Sequence, residues 1–176
     1  MKLGKTMMLM FVLLGSVGCD QVTKVVAREH LDGRATLSYL GDTFRLTYVE
    51  NHGAFLGMGS TLPESVRTLI FVGLVSLSLA VFLFWVLRTS LLSTTTVVAS
   101  GLLIGGGIGN LIDRVLFNGG VTDFLNIGIG TLRTGIFNVA DVWIMAGLFL
   151  IVLSPELRQG LRAPPEEPDD KVPESP

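Results

Sequence analysis

Four long apolar stretches dominate the pattern of hydrophobic and polar residues along the chain. They cover residues 6–26, 68–87, 96–117 and 136–153. Each is close to the ~20 residues that a helix needs to cross a bilayer, and the last is slightly short. Because backbone groups in lipid must bond to one another, the expected structure is helical. The pattern predicts an α-helical integral membrane protein with four transmembrane helices and with both termini on the same side.

The segment between helices 1 and 2, residues 29–64, has a different pattern. Two β-rich runs, residues 35–40 and 44–49, flank Gly41-Asp42, a pair suited to a two-residue hairpin turn. In the second run apolar and polar residues alternate, so one face of the strand is apolar. This segment predicts a small β-sheet that lies against the outer surface of the membrane.

The C-terminal end of the chain has a third pattern. Prolines are interspersed with acidic residues from residue 161 onwards, a composition typical of disorder. We therefore expect a four-helix membrane domain at residues 1–160, which includes the β-rich segment, and a disordered acidic, Pro-rich tail at residues 161–176.

The N-terminal stretch also resembles a secretory signal. Lys2 and Lys5 precede an apolar run that ends in Gly18-Cys19, as in a lipoprotein signal. However, Ser16 stands where such signals usually carry leucine, and three further apolar stretches follow. A retained first helix is therefore favoured over a cleaved signal.

The basic residues decide the orientation only weakly, since they divide almost evenly between the two sides of the membrane. Lys2 and Lys5 lie ahead of the first helix and favour termini in the cytoplasm. The β-rich segment is then extracytoplasmic.

Charge is scarce in the membrane part. Hydrophobic residues make up 49% of the chain and charged residues 16%, against about 25% charged in a soluble domain. No basic run suggests nucleic acid as a partner. The single cysteine and the separated His30 and His52 make a disulfide or a zinc site unexpected. The chemistry must come from carboxylates, hydroxyls, amides or lysine.

Between Ser65 and Ser154 the acidic residues are Asp113, Asp123 and Asp141. Ionisable groups in membrane segments are costly and mark either function or a pairing that permits them. On a helix, Asp113 shares one face with Asn110 and Arg114. A structural ion pair with Arg114 or another base is the favoured interpretation of Asp113.

Asp123 and Asp141 both lie in apolar sequence near the ends of predicted helices. Two carboxylates brought together can share one proton, which provides an acid and a base at the same pH. Two separately satisfied structural aspartates are the alternative, and composition does not decide between them.

Glycines recur every four residues in the third helix, at Gly101, Gly105 and Gly109. This spacing predicts a small-residue ridge that a neighbouring helix approaches closely.

Short polar blocks near the ends of these segments resemble a known family. In chain order they are Asp20-Gln21-Val22-Thr23-Lys24, Asn51-His52-Gly53-Ala54-Phe55, Gly109-Asn110-Leu111-Ile112-Asp113-Arg114, Val121-Thr122-Asp123-Phe124 and Phe137-Asn138-Val139-Ala140-Asp141. With the four hydrophobic segments they resemble bacterial lipoprotein signal peptidase (signal peptidase II). Each block alone is a weak signal, whereas the ordered set is specific.

The resemblance implies an aspartic peptidase of the bacterial inner membrane. Such an enzyme removes the signal peptide from lipid-modified prolipoproteins, cutting before a cysteine that carries diacylglycerol. The resemblance implies Asp123 and Asp141 as the catalytic pair that activates water, with the site towards the extracytoplasmic face. It further implies that substrate is positioned or the site held by Asp20, Lys24, Asn51, Gly53, Asn110, Arg114 and Asn138.

We expect a monomer surrounded by membrane lipid that uses no metal and no other cofactor. Either aspartate can be the base, although the position of Asp141 near a helix N-terminus favours its charged form.

Other classes of protein fit less well. A rhomboid-like serine peptidase needs a histidine within a membrane helix, and His30 and His52 lie outside the apolar stretches. Presenilin-type peptidases carry a G-x-G-D signature that is missing from this sequence. A Ser–Lys peptidase needs a serine beside its lysine, and Lys24 is the only lysine outside the two ends of the chain. The alternative from another class is a non-enzymatic four-helix membrane carrier that uses the aspartates as proton or ion ligands.

Overall fold

The computed structural model describes residues 1–54, 57–89 and 91–155 of the chain. The predicted tail, residues 161–176, lies outside the described residues. In chain order the described elements are α1 (Leu3–Leu31), β1 (Leu37–Tyr39), β2 (Phe44–Asn51), α2 (Glu64–Arg88), α3 (Thr94–Leu116), β3 (Val121–Ile129), β4 (Leu132–Arg133) and α4 (Val139–Val152). The described part of the protein is thus mostly helical, with one small group of strands.

Three of the described helices, α1, α2 and α3, are long and apolar enough to cross a membrane. Helix α2 is continuous but contains a π-helical stretch at Leu69–Leu74. Helix α4 is apolar but has only 14 residues. It begins later than the predicted stretch at 136–153 because Phe137 pairs with Leu125 as extended backbone. The first apolar residues of that stretch therefore belong to the strand region.

Helix α3 packs between α1 and α4 through its glycines. A Cβ atom added at Gly101 would lie 2.9 Å from Val12, and one at Gly105 would lie 1.9 Å from the Ser16 hydroxyl. A Cβ at Gly106, on another side of α3, would lie 2.5 Å from the Ala140 carbonyl of α4. The predicted close helix approach along the glycine ridge is therefore confirmed, with α1 as the partner.

The strands are antiparallel and lie in the order β1-β2-β3-β4. The hairpin predicted between the first two helices is present, but the prediction of a two-residue turn is wrong. Tyr39 pairs with Phe44, so Leu40 and Thr43 also belong to the connection. Leu40, Gly41 and Asp42 all adopt positive φ angles. This longer turn is fixed by Arg45, whose guanidinium donates to the Asp42 carboxylate.

Strand β3 joins the sheet to the membrane helices. It follows α3 directly, pairs with β2 along Val121–Ile127, and precedes α4 in the chain. In this register Asp123 lies opposite Val49. The sheet therefore holds Asp123 beside the start of α4, where Asp141 lies.

Candidate active site

Asp141 lies in the first turn of α4, where it forms a reciprocal cap. The Asp141 amide donates to Asn138 Oδ1 at 3.1 Å, and the Asn138 amide donates to Asp141 Oδ2 at 3.1 Å. This capping box fixes both side chains against the helix end. The other carboxylate oxygen, Oδ1, accepts a hydrogen bond from Asn110 Nδ2 at 2.9 Å. Asp141 is therefore positioned by donors from two helices.

Asp123 lies on β3 with 3% of its surface exposed. Its Oδ2 accepts from Asn51 Nδ2 at 2.9 Å, and its Oδ1 accepts from Asn138 Nδ2 at 2.6 Å. Burial raises the pKa of Asp123 to about 6, and the negative charge of Asp141 adds to the increase, against the hydrogen bonds from Asn51 and Asn138. Asp123 therefore holds a proton at a pH where an ordinary aspartate is ionised.

Asn138 connects the two aspartates, because its side-chain Nδ2 donates a hydrogen bond to Asp123 while its backbone N–H donates one to Asp141. Both carboxyl groups line one cavity of about 350 Å³. The apolar wall of this cavity is formed by Phe71, Val75, Ile144 and Met145. The site thus presents two carboxyl groups to a space with an apolar wall.

A buried lysine lies behind the pair. Lys24 Nζ donates to Asn110 Oδ1 at 2.8 Å and forms ion pairs with Asp20 at 2.9 Å and Asp113 at 3.6 Å. The side chains of Lys24, Asp20 and Asp113 are fully buried. Asp20 Oδ1 also accepts from the Ala140 amide at 2.9 Å, in the first turn of α4. These contacts tie α1 to the helix ends that carry Asn110 and Asp141.

Asp113 pairs with bases of α1 rather than with Arg114, its neighbour in sequence. Besides Lys24, its partner is Arg28 at 3.6 Å, and its Oδ2 accepts from the Thr122 amide at 2.9 Å. Arg28 was not among the site residues predicted from the sequence. The available signal was its spacing, since a residue four positions after Lys24 lies on the same helix face.

Arg114 instead holds the turn that follows β2. Its Nη2 donates to the Gly53 carbonyl at 2.9 Å, and its guanidinium lies 5.5 Å from the centre of the Phe71 ring. Asn51 Oδ1 accepts from the Gly53 amide at 2.9 Å. The turn is therefore linked to Asp123 through Asn51 and to α3 through Arg114.

Gly53→Ala is expected to lower activity by about tenfold or more, because small displacements at a catalytic site are costly. A Cβ at Gly53 would lie 2.5 Å from the backbone of Gly57, so the turn must move and the hold on Asn51 must loosen. The rate of the peptide cleavage that the family resemblance implies, measured per folded protein, checks this effect. Gly15→Ala is the control, since a Cβ there meets no atom within 4 Å. Equal rates for both variants would contradict a role for the turn.

The structure brings all of the predicted site residues into one hydrogen-bond network. One arm runs from Asp123 through Asn51 to Gly53 and Arg114. The other runs through Asn138 and Asn110 to Asp141, Lys24 and Asp20. Their individual roles stay predictions.

Comparison with known proteins gives a consistent result. The model of the family described as signal peptidase (SPase) II matches residues 12–155. A lipoprotein signal peptidase of Chlorobaculum tepidum is 38% identical over 160 residues, covering 83% of this chain and 93% of that protein. One of Syntrophus aciditrophicus is 34% identical over 134 residues, covering 76% of this chain and 83% of that protein.

Solved structures agree with these sequence matches. A structure described as a bacterial membrane enzyme, determined by the in meso method at 2.3 Å resolution, has a TM-score of 0.76 and 25% identity. The match covers 92% of this chain and 93% of that one. A second structure with the same description, at 1.9 Å resolution, has a TM-score of 0.70 and 26% identity.

Proposed function

The chain belongs to the signal peptidase II family, a family of aspartic peptidases, and from this premise we propose the reaction and its residues. The proposed substrate is a prolipoprotein whose cysteine carries diacylglycerol, and the bond cut is the one before that cysteine. The observation that carries the proposal is the pair Asp123 and Asp141, which line one apolar-walled cavity and are connected by Asn138.

The proposed chemistry needs one ionised and one protonated carboxyl group. Asp141 lies at a helix N-terminus, which favours negative charge, and serves as the base that takes a proton from water. Asp123, protonated through its raised pKa, donates a hydrogen bond to the scissile carbonyl. As the carbon–nitrogen bond breaks, a proton passes to the leaving amine and the signal peptide gains the new carboxylate.

The surroundings of the pair suit a lipid-bearing substrate. The cavity wall formed by Phe71, Val75, Ile144 and Met145 is apolar, so acyl chains and the apolar signal peptide lose contact with water there. The two carboxyl groups are held in place by hydrogen bonds from Asn51, Asn110 and Asn138. In our proposal the proton transfer is carried out by the carboxyl groups alone.

We also propose the location of the enzyme. Among the described residues three helices are long enough to span a bilayer, and in our proposal α4 forms the fourth crossing. Lys2 and Lys5 favour cytoplasmic termini, which places the sheet and the aspartates towards the extracytoplasmic face of the bacterial inner membrane. We expect the enzyme to act as a monomer.

Dependence on the lipid tests the proposed substrate class. Purified protein is incubated with the same prolipoprotein in its diacylglyceryl-modified and unmodified forms, and the products are weighed by mass spectrometry. The modified form is expected to be cut before its cysteine and the unmodified form to remain intact. No cleavage of either form by folded protein, together with ion flux in vesicles, would favour the carrier instead.

Activity is expected to fall as the pH rises through about 6, the pKa of Asp123 in the folded protein. Below this pH Asp123 keeps the proton that it must donate, and above it the proton is lost. A profile of log(kcat/KM) against pH measures the effect. Activity that increases from pH 6 to pH 8 would assign the acid to another group.

The same shift predicts a stability effect that serves as a control. The folded state binds the Asp123 proton more tightly than the unfolded state, whose pKa is near the ordinary value of 3.8. The protonated group therefore stabilises the fold at low pH, and this contribution is lost as the pH rises through about 6. Asp123→Asn is expected to remove this part of the pH dependence of the unfolding temperature.

A further inference from the structure

A second cavity, of about 480 Å³, adjoins the pair of aspartates. It shares Asn51, Asp123 and Ile136 with the apolar cavity, so Asp123 contributes to both. The rest of its lining comes from the end of β2, the turn after it, the start of α2 and Gly135. The two cavities therefore offer two directions in which a bound chain can leave the site.

The two cavities differ in chemistry. The first is walled by apolar side chains of membrane helices. The second, besides Val49 and Ile136, is lined by four polar or charged side chains that the first does not have, namely Glu50, His52, Ser60 and Arg67. The side chains of His52 and Glu50 are 38% and 43% exposed, so this cavity is in contact with water.

The two sides of the proposed substrate differ in the same way as the two cavities. On one side of the cut bond lies the apolar signal peptide, and on the other lies the mature protein, which continues into water. We infer that the second cavity is a subsite for the first residues of the mature chain after the lipidated cysteine, and that Arg67 makes it favour an acidic side chain. This inference rests on the proposed function and adds a determinant of specificity on the mature side.

The preference for an acidic side chain follows from the contacts that the charged residues of the second cavity already make. Glu50 Oε1 lies 3.3 Å from His52 Nε2, and its side chain packs against the backbone of Gly120. None of the ion pairs formed among the described residues involves Arg67, whose guanidinium donates only a long hydrogen bond of 3.4 Å to the Ser60 carbonyl. Arg67 is thus the charge still available to a substrate carboxylate.

A set of three lipid-modified peptides tests this subsite. The peptides are identical except for the residue directly after the lipidated cysteine, which is Asp, Ser or Lys. With the full-length enzyme, kcat/KM is expected to be about fivefold higher for Asp than for Lys, the size typical of one partly exposed charge pair. The Ser peptide is expected to lie between them, and added salt is expected to reduce the difference.

Arg67→Gln is expected to bring the ratio of Asp to Lys close to one, and Arg67→Lys is expected to retain the preference for Asp. Because each ratio is measured on one preparation, the fraction of folded enzyme cancels. Arg88→Gln is the matched control at the other end of α2, where the guanidinium lies over the Phe84 ring, and it is expected to keep the wild-type ratio.

The outcomes separate this subsite from the proposed function. Cleavage of all three peptides with equal kcat/KM, or a wild-type ratio in Arg67→Gln, would overturn the subsite while the peptidase function stands. A failure of folded wild-type enzyme to cut any of the peptides would overturn the proposed function and the subsite with it.

Discussion

Asp123→Asn and Asp141→Asn are each expected to lower kcat for prolipoprotein cleavage by about 10³-fold, within the range for loss of a general acid or base. Asparagine keeps the size of the side chain but can neither take a proton from water nor give one to the leaving amine. The contacts of Asn51 and Asn138 with position 123 can partly persist, so the protein should still fold. Rates of signal-peptide release, per correctly inserted enzyme, measure the effect.

Asp32→Asn is the matched control for these substitutions. It makes the same chemical change at an exposed carboxylate just after α1, which does not line the catalytic cavity. Its kcat is expected to stay within about twofold of the wild type, as for most surface substitutions. A near wild-type rate for either dyad variant would show that the assignment of the pair is wrong.

Lys24→Met is expected to destabilise the protein by about 3–5 kcal/mol, the usual result of removing one partner from a buried ion pair. Lys24 is fully buried and is paired with Asp20 and Asp113. When the ammonium group of Lys24 is removed, these carboxylates lose a compensating charge and Asn110 Oδ1 loses a hydrogen-bond donor. Thermal unfolding in one detergent, followed by circular dichroism, measures the loss, which should appear as a large decrease in Tm.

A double variant distinguishes lost charge balance from lost packing. Lys24→Met combined with Asp20→Asn removes one charge of each sign and is expected to be more stable than Lys24→Met alone. Lys2→Met, at an exposed lysine, is the control and is expected to leave Tm unchanged. A single variant Lys24→Met as stable as the wild type would show that the buried network does not support the fold.

The membrane helices could be predicted from the sequence because a bilayer imposes a simple rule of length and polarity. The ends of the predicted stretches 68–87 and 96–117 lie within four residues of the ends of α2 and α3, an accuracy normal for helix boundaries inferred from sequence. Helix α1 extends further than predicted, to Leu31. Its last turns carry Lys24 and Arg28, whose charges lowered the local hydropathy but are satisfied by Asp20 and Asp113.

The hairpin of β3 and β4 could not be inferred from hydropathy alone. Strand β3 holds Asp123, yet its residues were interpreted only as apolar sequence beyond a helix. A local signal existed in the β-branched and aromatic residues of Val121–Ile129, with glycine before them and Gly130 after them. The pairing of β3 with β2 is set by tertiary contact, because the two strands are separated by two membrane helices.

The site residues could be predicted only through their motif context. Spacing alone predicts that Asp113 and Arg114 share one helix face. In the structure, however, Asp113 forms ion pairs with bases of α1, and Arg114 donates to the Gly53 carbonyl. Which partner a buried charge selects depends on the packing of α1 against α3. The reciprocal cap of Asn138 and Asp141 was accessible locally, since an N-cap asparagine followed three residues later by an acid is a helix-start pattern.

We propose that the carboxyl groups of Asp123 and Asp141 cut the substrate without a metal ion. The most direct test is the rate of cleavage of a diacylglyceryl-modified prolipoprotein by purified wild-type enzyme, with and without a strong chelator, beside Asp141→Asn. Wild-type enzyme is expected to release the signal peptide at the same rate in both conditions, while Asp141→Asn releases it about 10³-fold more slowly in both. Loss of wild-type activity with chelator, restored by added metal, would show that a metal ion takes part in the cleavage and would contradict the metal-free mechanism.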